Sequence, residues 1–206
     1  MIEPSLPGES LDEAGADPDP LVQFGRWFDD AAAVTASPEA MAVASADRDG
    51  RPSVRMVLLK SWGPEGFVFF TNYDSRKGHE LSGNPFASLL FYWEQLGRQV
   101  RIEGPVERTT GEESDAYFAS RPFASQVGAY ASHQTRTIES RAALDAQVEA
   151  FASEYQGNPV PRPPWWGGMA ITPRSFEFWQ LGRDRLHDRL LYTPGTDGWS
   201  IERLQP

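Results

Sequence analysis

Short runs of β-branched and aromatic residues, separated by turn-forming residues, limit the folds that this chain can adopt. The first two runs are joined by Asp47-Arg48-Asp49-Gly50, and the turn at 63–66 leads into the third. Spacings this short favour antiparallel strands, because parallel strands need crossovers of a dozen or more residues. The runs read MAVASA, RPSVRMVLLK, FVFFTN, ASLLFYW, RQVRIEGPVE, MAIT, SFEFWQ, RLHDRLLYT and WSIERL.

Helical patterns are interspersed with the β runs. The first follows Pro20, which suits an initial helical turn, and the second begins at Ser75 as the candidate N-cap. A third ends before Pro122, and a fourth lies within TIESRAALDAQVEAFASEY, where apolar residues recur on one face. The 206 residues suffice for one well-buried core, so we expect a single α+β domain, a β-barrel decorated by helices.

Acidic residues are concentrated at the start of the chain. Six of the 29 acidic residues and none of the 19 basic ones lie in the first twenty, so the net charge of −10 falls to −4 for the remainder. Residues 1–19 are predicted to be a disordered acidic tail, and residues 20–206 the single folded domain. The absence of a basic surface run argues against nucleic acid as the main partner. With no signal peptide and no apolar run of about 20 residues, we expect a soluble, cytoplasmic protein without a membrane partner.

The chain has no cysteine and three widely spaced histidines. Disulfides, thiolate ligands and thiol nucleophiles are therefore excluded, and no paired histidine spacing indicates a metal site. Redox chemistry in this chain would need an organic cofactor. Dinucleotide-binding, P-loop and nucleophile-elbow motifs are also missing, which removes three common enzyme classes.

Two clusters are suited to binding phosphate. Ser75, Arg76 and Lys77 open a predicted helix, where free backbone N–H groups and two cations favour an anion; an ordinary exposed helix start is the alternative. Tyr117, Arg121 and Ser125 are spaced four residues apart. Because Pro122 interrupts the helix, we expect Ser125 to approach from the following turn. Two phosphate sites suggest a phosphorylated cofactor facing a phosphorylated substrate, although each cluster alone also fits an exposed surface.

The segment RLHDR at 185–189 concentrates positive charge in an acidic protein. Its β-rich flanks predict a strand, on which Arg185, His187 and Arg189 would project from the same face. Two guanidinium groups beside an imidazole suit an anionic or electron-rich ring. The alternative is a solvated edge strand with incidental charge.

Nine motifs, taken in chain order, carry a further signal. They are RMVLLK, GFVFFTNYDSRKG, NPFASLLFYW, RQVRIEG, YFASRPFASQVGAYASHQ, PRPPWWGG, EFWQ, RLHDR and the terminal RLQP. Together they resemble the pyridoxamine 5'-phosphate oxidase family from Asp19 to Pro206. The resemblance implies an antiparallel, Greek-key-like, FMN-binding split β-barrel that forms a homodimer with FMN at the subunit interface. It also implies vitamin B6 salvage: oxidation of pyridoxamine or pyridoxine 5'-phosphate by O2 to pyridoxal 5'-phosphate, releasing H2O2 and, from the amine, ammonia.

The resemblance also implies roles for particular residues. Arg76 and Lys77 would hold the FMN phosphate, as their position at a helix start suggests. The full implied flavin shell is Arg55, Met56, Val57, Leu58, Leu59, Lys60, Phe70, Thr71, Arg76, Lys77, Gln99, Gln134, Thr135, Trp179 and Arg189. The implied substrate set is Lys60, Tyr117, Arg121 and Ser125 at its phosphate, with Arg185, Leu186 and His187 at its ring. Arg185 and His187 are the candidate catalytic residues, which would fix the substrate and stabilise charge as hydride leaves; no residue is assigned as a general base.

Two other functions stay open. A related FMN-dependent oxidase of phenazine-type metabolism would share the fold but act on a tricyclic substrate without phosphate. A split barrel that binds flavin or pyridoxal phosphate without turnover is the third possibility. The Lys60, Tyr117, Arg121 and Ser125 set favours the first function, since a substrate phosphate gives these donors a purpose.

Overall fold

The computed structural model describes residues 10–206, and in this range ten strands form one antiparallel sheet accompanied by five α-helices. The strands are β1 (Ala40–Ala46), β2 (Pro52–Leu58), β3 (Ser61–Gly63), β4 (Gly66–Asn72), β5 (Phe86–Trp93), β6 (Arg98–Arg108), β7 (Trp166–Ile171), β8 (Ser175–Gln180), β9 (Asp188–Gly195) and β10 (Gly198–Arg203). The helices are α1 (Pro20–Val34), α2 (Arg76–Gly83), α3 (Gly111–Ser120), α4 (Phe123–Ala131) and α5 (Arg141–Glu154). The predicted α+β class is therefore confirmed.

The long strand β6 causes the sheet to curl. The main path runs β10-β9-β8-β6-β5-β1-β2, and β7, which pairs with β4, joins the far end of β6. Residues 98–103 of β6 pair with β8, whereas residues 106–108 pair with β7. Gly104 lies between these two segments, where a Cβ atom would be 1.9 Å from the Thr172 carbonyl oxygen. The close approach at Gly104 lets one strand serve both halves of the barrel.

Aromatic side chains fill the barrel. Helix α1 inserts Phe24, whose ring lies 5.0 Å from that of Phe67 and 5.1 Å from that of Phe91. All three side chains are fully buried, and edge-to-face contacts of this kind add to the stabilisation from burial. Asp19 caps the helix by accepting a hydrogen bond from the Leu21 amide at 2.8 Å. None of the helices in residues 10–206 has both the length and the apolar composition needed to cross a membrane.

A second, smaller cluster attaches the later helices to the barrel. Its buried residues are Phe118, Val127, Val160 and Trp166. They come from α3, α4, the connector before β7 and β7 itself. This packing holds α3 and α4 against the sheet, where they form one wall of the site described below.

Residues 10–19 have a defined conformation, in contrast to the disorder expected for residues 1–19. Leu11 is buried, and its amide donates to Asp188 Oδ2 at 3.2 Å. Glu13 pairs with Arg203 at 2.8 Å, so at least one of the acidic residues has a cationic partner. Such contacts reach residues almost a full chain length away and are not visible in local composition. Residues 1–9, which belong to the same predicted tail, lie outside the described residues.

Two local expectations were wrong. Ser125 lies in α4, a helix that starts immediately after Pro122, and not in a turn. The strand predicted for RLHDR begins only at Asp188. Asp184 and Arg185 have φ values of 53° and 64°, and left-handed backbone of this kind cannot continue a strand. Arg185 and His187 therefore precede the strand that carries Arg189, and strand alternation does not align the three.

Candidate active site

An open cavity of about 940 Å³ lies between the sheet-edge strand β2 and helices α2, α3 and α4. Most of the residues proposed from the sequence line it. These are Arg55, Met56, Val57, Leu58, Lys60, Phe70, Thr71, Arg76, Lys77, Tyr117, Arg121, Ser125, Gln134 and Thr135. The cavity thus joins residues that are up to 80 positions apart in the chain.

One end of the cavity is cationic and is built around the start of α2. The Lys77 ammonium donates to Thr71 Oγ1 and to Gln134 Oε1, both at 2.8 Å. Thr135, whose φ is 72°, brings its hydroxyl oxygen to 2.9 Å from the Arg76 amide. A left-handed residue other than glycine is uncommon, and such residues cluster at ligand sites. Hydroxyl, amide and cationic donors are thereby concentrated at a helix N-terminus, the arrangement that suits a phosphate.

Burial changes the protonation of Lys77. The side chain is only 6 % exposed, and loss of hydration lowers its pKa to about 8, with Arg55 lowering it further and Glu80 opposing the shift. An anion bound beside Lys77 would favour the charged ammonium. The site is therefore expected to bind a phosphate and a proton together at alkaline pH.

Glu80 lies beneath this cationic end and holds two of its arginines. Its carboxylate accepts from Arg76 Nε at 2.8 Å and from Arg55 Nη2 at 3.1 Å, and Ser45 and Ser53 also donate to it. Burial alone would raise the pKa of Glu80, but these donors outweigh it and hold the pKa at about 2. Glu80 is thus an anion at neutral pH, and it fixes Arg55 and Arg76 before any ligand binds.

The other end of the cavity holds Arg121, at the C-terminal end of α3. Its guanidinium carbon lies 4.6 Å from the centre of the Trp166 ring. Its Nη1 atom is buried and has no hydrogen-bond partner among residues 10–206. Burial also lowers the pKa of Arg121, although the group stays charged. A buried guanidinium N–H without an acceptor costs free energy of folding, because it loses its hydration without gaining a hydrogen bond. An anion bound at this end of the cavity would supply the missing acceptor.

Tyr117 and Ser125 lie beside Arg121 in the cavity wall. The Tyr117 ring stacks on Phe70 at 3.9 Å, and Phe70 stacks on Trp166 at 5.3 Å. The side-chain amide of Gln126 donates to the Arg121 carbonyl oxygen at 3.1 Å, which secures the junction between α3 and α4. Aromatic stacking and this hydrogen bond together fix the direction from which Arg121 enters the cavity.

Seven of the proposed residues do not line the cavity of this chain: Leu59, Gln99, Trp179, Arg185, Leu186, His187 and Arg189. Leu59 is buried in the barrel core. Gln99, Trp179 and Arg189 are paired across β6, β8 and β9 and are half-buried. The adjacent residues that pair with one another, Val100, Phe178 and Leu190, are fully buried in the core. The row of Gln99, Trp179 and Arg189 therefore lies on the outer face of the sheet. Arg185, Leu186 and His187 lie in the turn that precedes β9.

Sequence reasoning missed two residues that shape the cavity. Glu80 lies four positions after Arg76, a spacing at which opposite charges pair on a helix, and this signal was available. Trp166 is part of the quoted PRPPWWGG motif, but its position beneath Arg121 depends on the packing of β7 against α3. No local sequence pattern indicates the contact between Trp166 and Arg121.

Comparison with known proteins agrees with this architecture. Residues 28–155 match the family model described as pyridoxamine 5'-phosphate oxidase, and residues 166–206 match a pyridoxine 5'-phosphate oxidase C-terminal dimerisation region. A pyridoxine/pyridoxamine 5'-phosphate oxidase of Burkholderia vietnamiensis is 57% identical over 201 residues, covering 96% of this chain and 94% of the relative. One from Rubrobacter xylanophilus is 54% identical over 197 residues, covering 95% and 91%.

Solved structures extend the comparison to the fold. PhzG from Burkholderia lata, in complex with tetrahydrophenazine-1-carboxylic acid, is 33% identical with a TM-score of 0.88, covering 96% of this chain and 98% of PhzG. A pyridoxamine 5'-phosphate oxidase-related, FMN binding protein from Nostoc punctiforme shares the fold, with a TM-score of 0.71 at 16% identity over 97% of this chain and all of that one. The split-barrel fold expected from the motifs is confirmed, and the chain belongs to the pyridoxamine 5'-phosphate oxidase family.

Proposed function

We propose that this protein is an FMN-dependent oxidase that converts pyridoxamine and pyridoxine 5'-phosphate to pyridoxal 5'-phosphate, with O2 as the electron acceptor and H2O2 as a product. The observation that carries the proposal is the cavity with two anion-binding ends. One end has cations already ordered by Glu80, and the other has a buried Arg121 Nη1 without a partner in residues 10–206. A phosphorylated cofactor and a phosphorylated substrate would satisfy both ends.

The donors at the first end fit FMN. Arg76, Lys77 and the hydroxyl of Thr135 would hold its phosphate at the start of α2, and Arg55 would add a further cation. The β2 segment, residues 55–58, would lie along the flavin ring. When bound, FMN would supply the two-electron acceptor that accounts for the redox chemistry of a chain without cysteine.

The second end fits the substrate phosphate. Arg121 would donate to it through the unpartnered Nη1, and Tyr117, Ser125 and Lys60 would supply further donors. Because the phosphate is not the reacting group, binding it would orient the substrate without taking part in bond breaking. The cavity residues would therefore set affinity and pose, while the chemistry takes place between the two anion sites.

A homodimer would complete the site. Residues 166–206 match a family dimerisation region. They contain five of the seven proposed residues that do not line the cavity: Trp179, Arg185, Leu186, His187 and Arg189. We infer that this outer face of one subunit covers the cavity of the other. Trp179 and Arg189 would then contact the flavin, and Arg185 and His187 the substrate ring.

A phenazine-type oxidase is the second candidate, favoured by the 33% identity to PhzG. The tricyclic acid in the PhzG complex carries a carboxylate, which Arg121 could also bind. The relatives at 54–57% identity over most of the chain carry the pyridoxine/pyridoxamine 5'-phosphate oxidase name, and this supports the first function. The cytoplasmic location expected from the sequence stays a prediction.

The test is to load the purified protein with FMN and add pyridoxine 5'-phosphate. Without oxygen, the flavin absorbance should bleach; in air, aldehyde and peroxide should form in equal amounts. Unphosphorylated pyridoxine serves as the control for the second anion site, and tetrahydrophenazine-1-carboxylic acid tests the second candidate. A flavin that stays oxidised with every substrate would favour a protein that binds flavin without turnover and would contradict the proposal.

A further inference from the structure

The turn that carries Arg185 and His187 has an unusual backbone. Asp184 and Arg185 are consecutive left-handed residues, and neither is glycine. The Leu186 amide closes the turn by donating to the Arg183 carbonyl oxygen at 2.8 Å. Sparsely populated backbone of this kind persists only where the surrounding contacts impose it. A contact between the two ends of this turn must therefore hold it in this conformation.

Gly182 and His187 make that contact. The Gly182 amide donates to Nδ1 of the His187 imidazole at 3.2 Å. A Cβ atom on Gly182 would lie 1.9 Å from the Leu186 carbonyl oxygen and 3.1 Å from the His187 Cα atom. The glycine is thus required by close approach, because its φ of −112° is open to any residue.

This hydrogen bond determines where the imidazole proton lies. A backbone N–H can only donate, so the Nδ1 atom that it meets must be an unprotonated acceptor. A neutral ring then carries its proton on Nε2. The ring is also held against Trp179, with the ring centres 4.6 Å apart at an angle of 44°. Both the orientation and the tautomer of His187 are fixed within one subunit.

We propose that Gly182 is the positioning residue of His187: its amide selects the Nε2–H tautomer, so that His187 presents a hydrogen-bond donor to an acceptor atom of the substrate ring. This inference rests on the proposed function, in which His187 contacts the substrate. It adds a defined tautomer to that contact, and it gives a structural reason for glycine at position 182.

Two substitutions of His187 separate the two ring nitrogens. His187→Gln places an amide near the Nε2 position, whereas His187→Asn places one near Nδ1. If Nε2–H is the functional donor, His187→Gln should retain about tenfold more kcat/KM for pyridoxine 5'-phosphate than His187→Asn, the factor expected for one hydrogen bond. Equal activities, or a more active His187→Asn, would overturn the inference.

Nitrogen NMR of histidine-labelled holoenzyme reads the tautomer directly. The chain has only His79, His133 and His187, so loss of a signal in His187→Gln assigns the resonances. The neutral wild-type ring should show a protonated Nε2 and an unprotonated Nδ1. Gly182→Ala should give mixed tautomers and about a tenfold lower kcat/KM with unchanged FMN affinity. Gly63→Ala is the matched control, because its Cβ would meet nothing within 4 Å.

The outcomes distinguish this inference from the proposed function. If wild-type protein does not oxidise pyridoxine 5'-phosphate, the proposed function fails whatever the tautomer. If it does, but neutral His187 carries its proton on Nδ1, or Gly182→Ala leaves the tautomer unchanged, only the inference fails. Should Gly182→Ala not fold, the wild-type spectrum and the two His187 variants still decide the question.

Discussion

Single residues in the cavity differ chiefly in whether their charge is already balanced. Arg55 and Arg76 share the buried carboxylate of Glu80, whereas Arg121 has an aromatic ring beneath it and no carboxylate partner in residues 10–206. A guanidinium that already pairs with a carboxylate gains little more from a bound anion. One that is buried without an acceptor gains a full charge-assisted hydrogen bond when an anion arrives. The two ends should therefore respond differently to substitution.

Removing Arg121 should weaken the binding of phosphorylated substrate. Arg121→Ala is expected to cost about 1.5–3 kcal/mol, roughly a 10- to 150-fold rise in KM for pyridoxine 5'-phosphate, since a charge-assisted hydrogen bond is lost. FMN affinity should not change. Arg141→Ala removes an exposed arginine of α5 that pairs with Asp145 and serves as the control. Steady-state kinetics with an unchanged KM would show that Arg121 is not a phosphate ligand.

Lys77 should make FMN binding depend on pH. In the unliganded protein its pKa is lowered to about 8, first by burial and then by Arg55, so above pH 8 the site must take up a proton to bind the phosphate. The affinity of the apoprotein for FMN is thus expected to fall between pH 7 and 9, measured by quenching of flavin fluorescence. Lys77→Arg keeps its charge and should flatten the profile. Identical profiles for the two proteins would contradict this role.

Glu80 connects helix α2 to the edge of the sheet. Its carboxylate accepts hydrogen bonds from Ser45 on β1 and from Ser53 and Arg55 on β2. Because β2 is an edge strand, these bonds across its inner side help to hold it beside β1. The same group therefore orders Arg55 and Arg76 at the cationic end of the cavity and stabilises the wall that carries them.

This connection should be lost in acid. The folded pKa of Glu80 is about 2 and its ordinary value is 4.5, so its contribution is complete above about pH 4.5 and disappears as the pH falls towards 2. The difference corresponds to on the order of 3 kcal/mol. Glu80→Gln should lower the free energy of unfolding by about 2–3 kcal/mol at pH 7, measured in urea, and by much less at pH 3. Exposed Glu149→Gln on α5 is the control; an equal loss at both pH values would exclude the carboxylate charge as the cause.

For the whole molecule, an apolar outer face accompanies the cationic cavity. Val54 is 68 % exposed, Met56 65 % and Tyr92 57 %, and Leu90 is also exposed on the same sheet. An exposed apolar patch of this kind indicates an interface. It lies on the outer side of the sheet, as does the row formed by Gln99, Trp179 and Arg189. We expect a two-fold dimer in which each cavity is completed by the other subunit.

Complementation tests this shared site. Arg121→Ala damages the cavity, and His187→Asn damages the face that would cover it. In a two-fold dimer that shares its sites, a mixed dimer of these variants has one intact site and one doubly altered site. Subunits mixed in equal amounts should recover about a quarter of wild-type kcat/KM, since half of the dimers are mixed. Mixtures no more active than the separate variants would show that each site is formed within one subunit.

Most of the local structure, and the family, could be predicted from the sequence. Ser75 caps α2 and Pro122 ends α3 as predicted, because capping and the loss of a backbone donor act between residues a few positions apart. The β runs and the short turns between them predicted the antiparallel sheet, because a turn and the two strands that it joins are also close in the sequence. The ordered motifs predicted the family because they extend over almost the whole chain.

The balance of charges and the shape of the turn at 183–187 depend on tertiary contacts. The pairing of Arg55 with Glu80, and the contact of Arg121 with Trp166, join residues 25 and 45 positions apart. The order of residues 10–19 rests on a bond from Leu11 to Asp188, 177 positions away. The left-handed backbone at Arg185 likewise opposes its β-rich flanks. In each case a contact between distant segments outweighs the local preference, and no local pattern contains that contact.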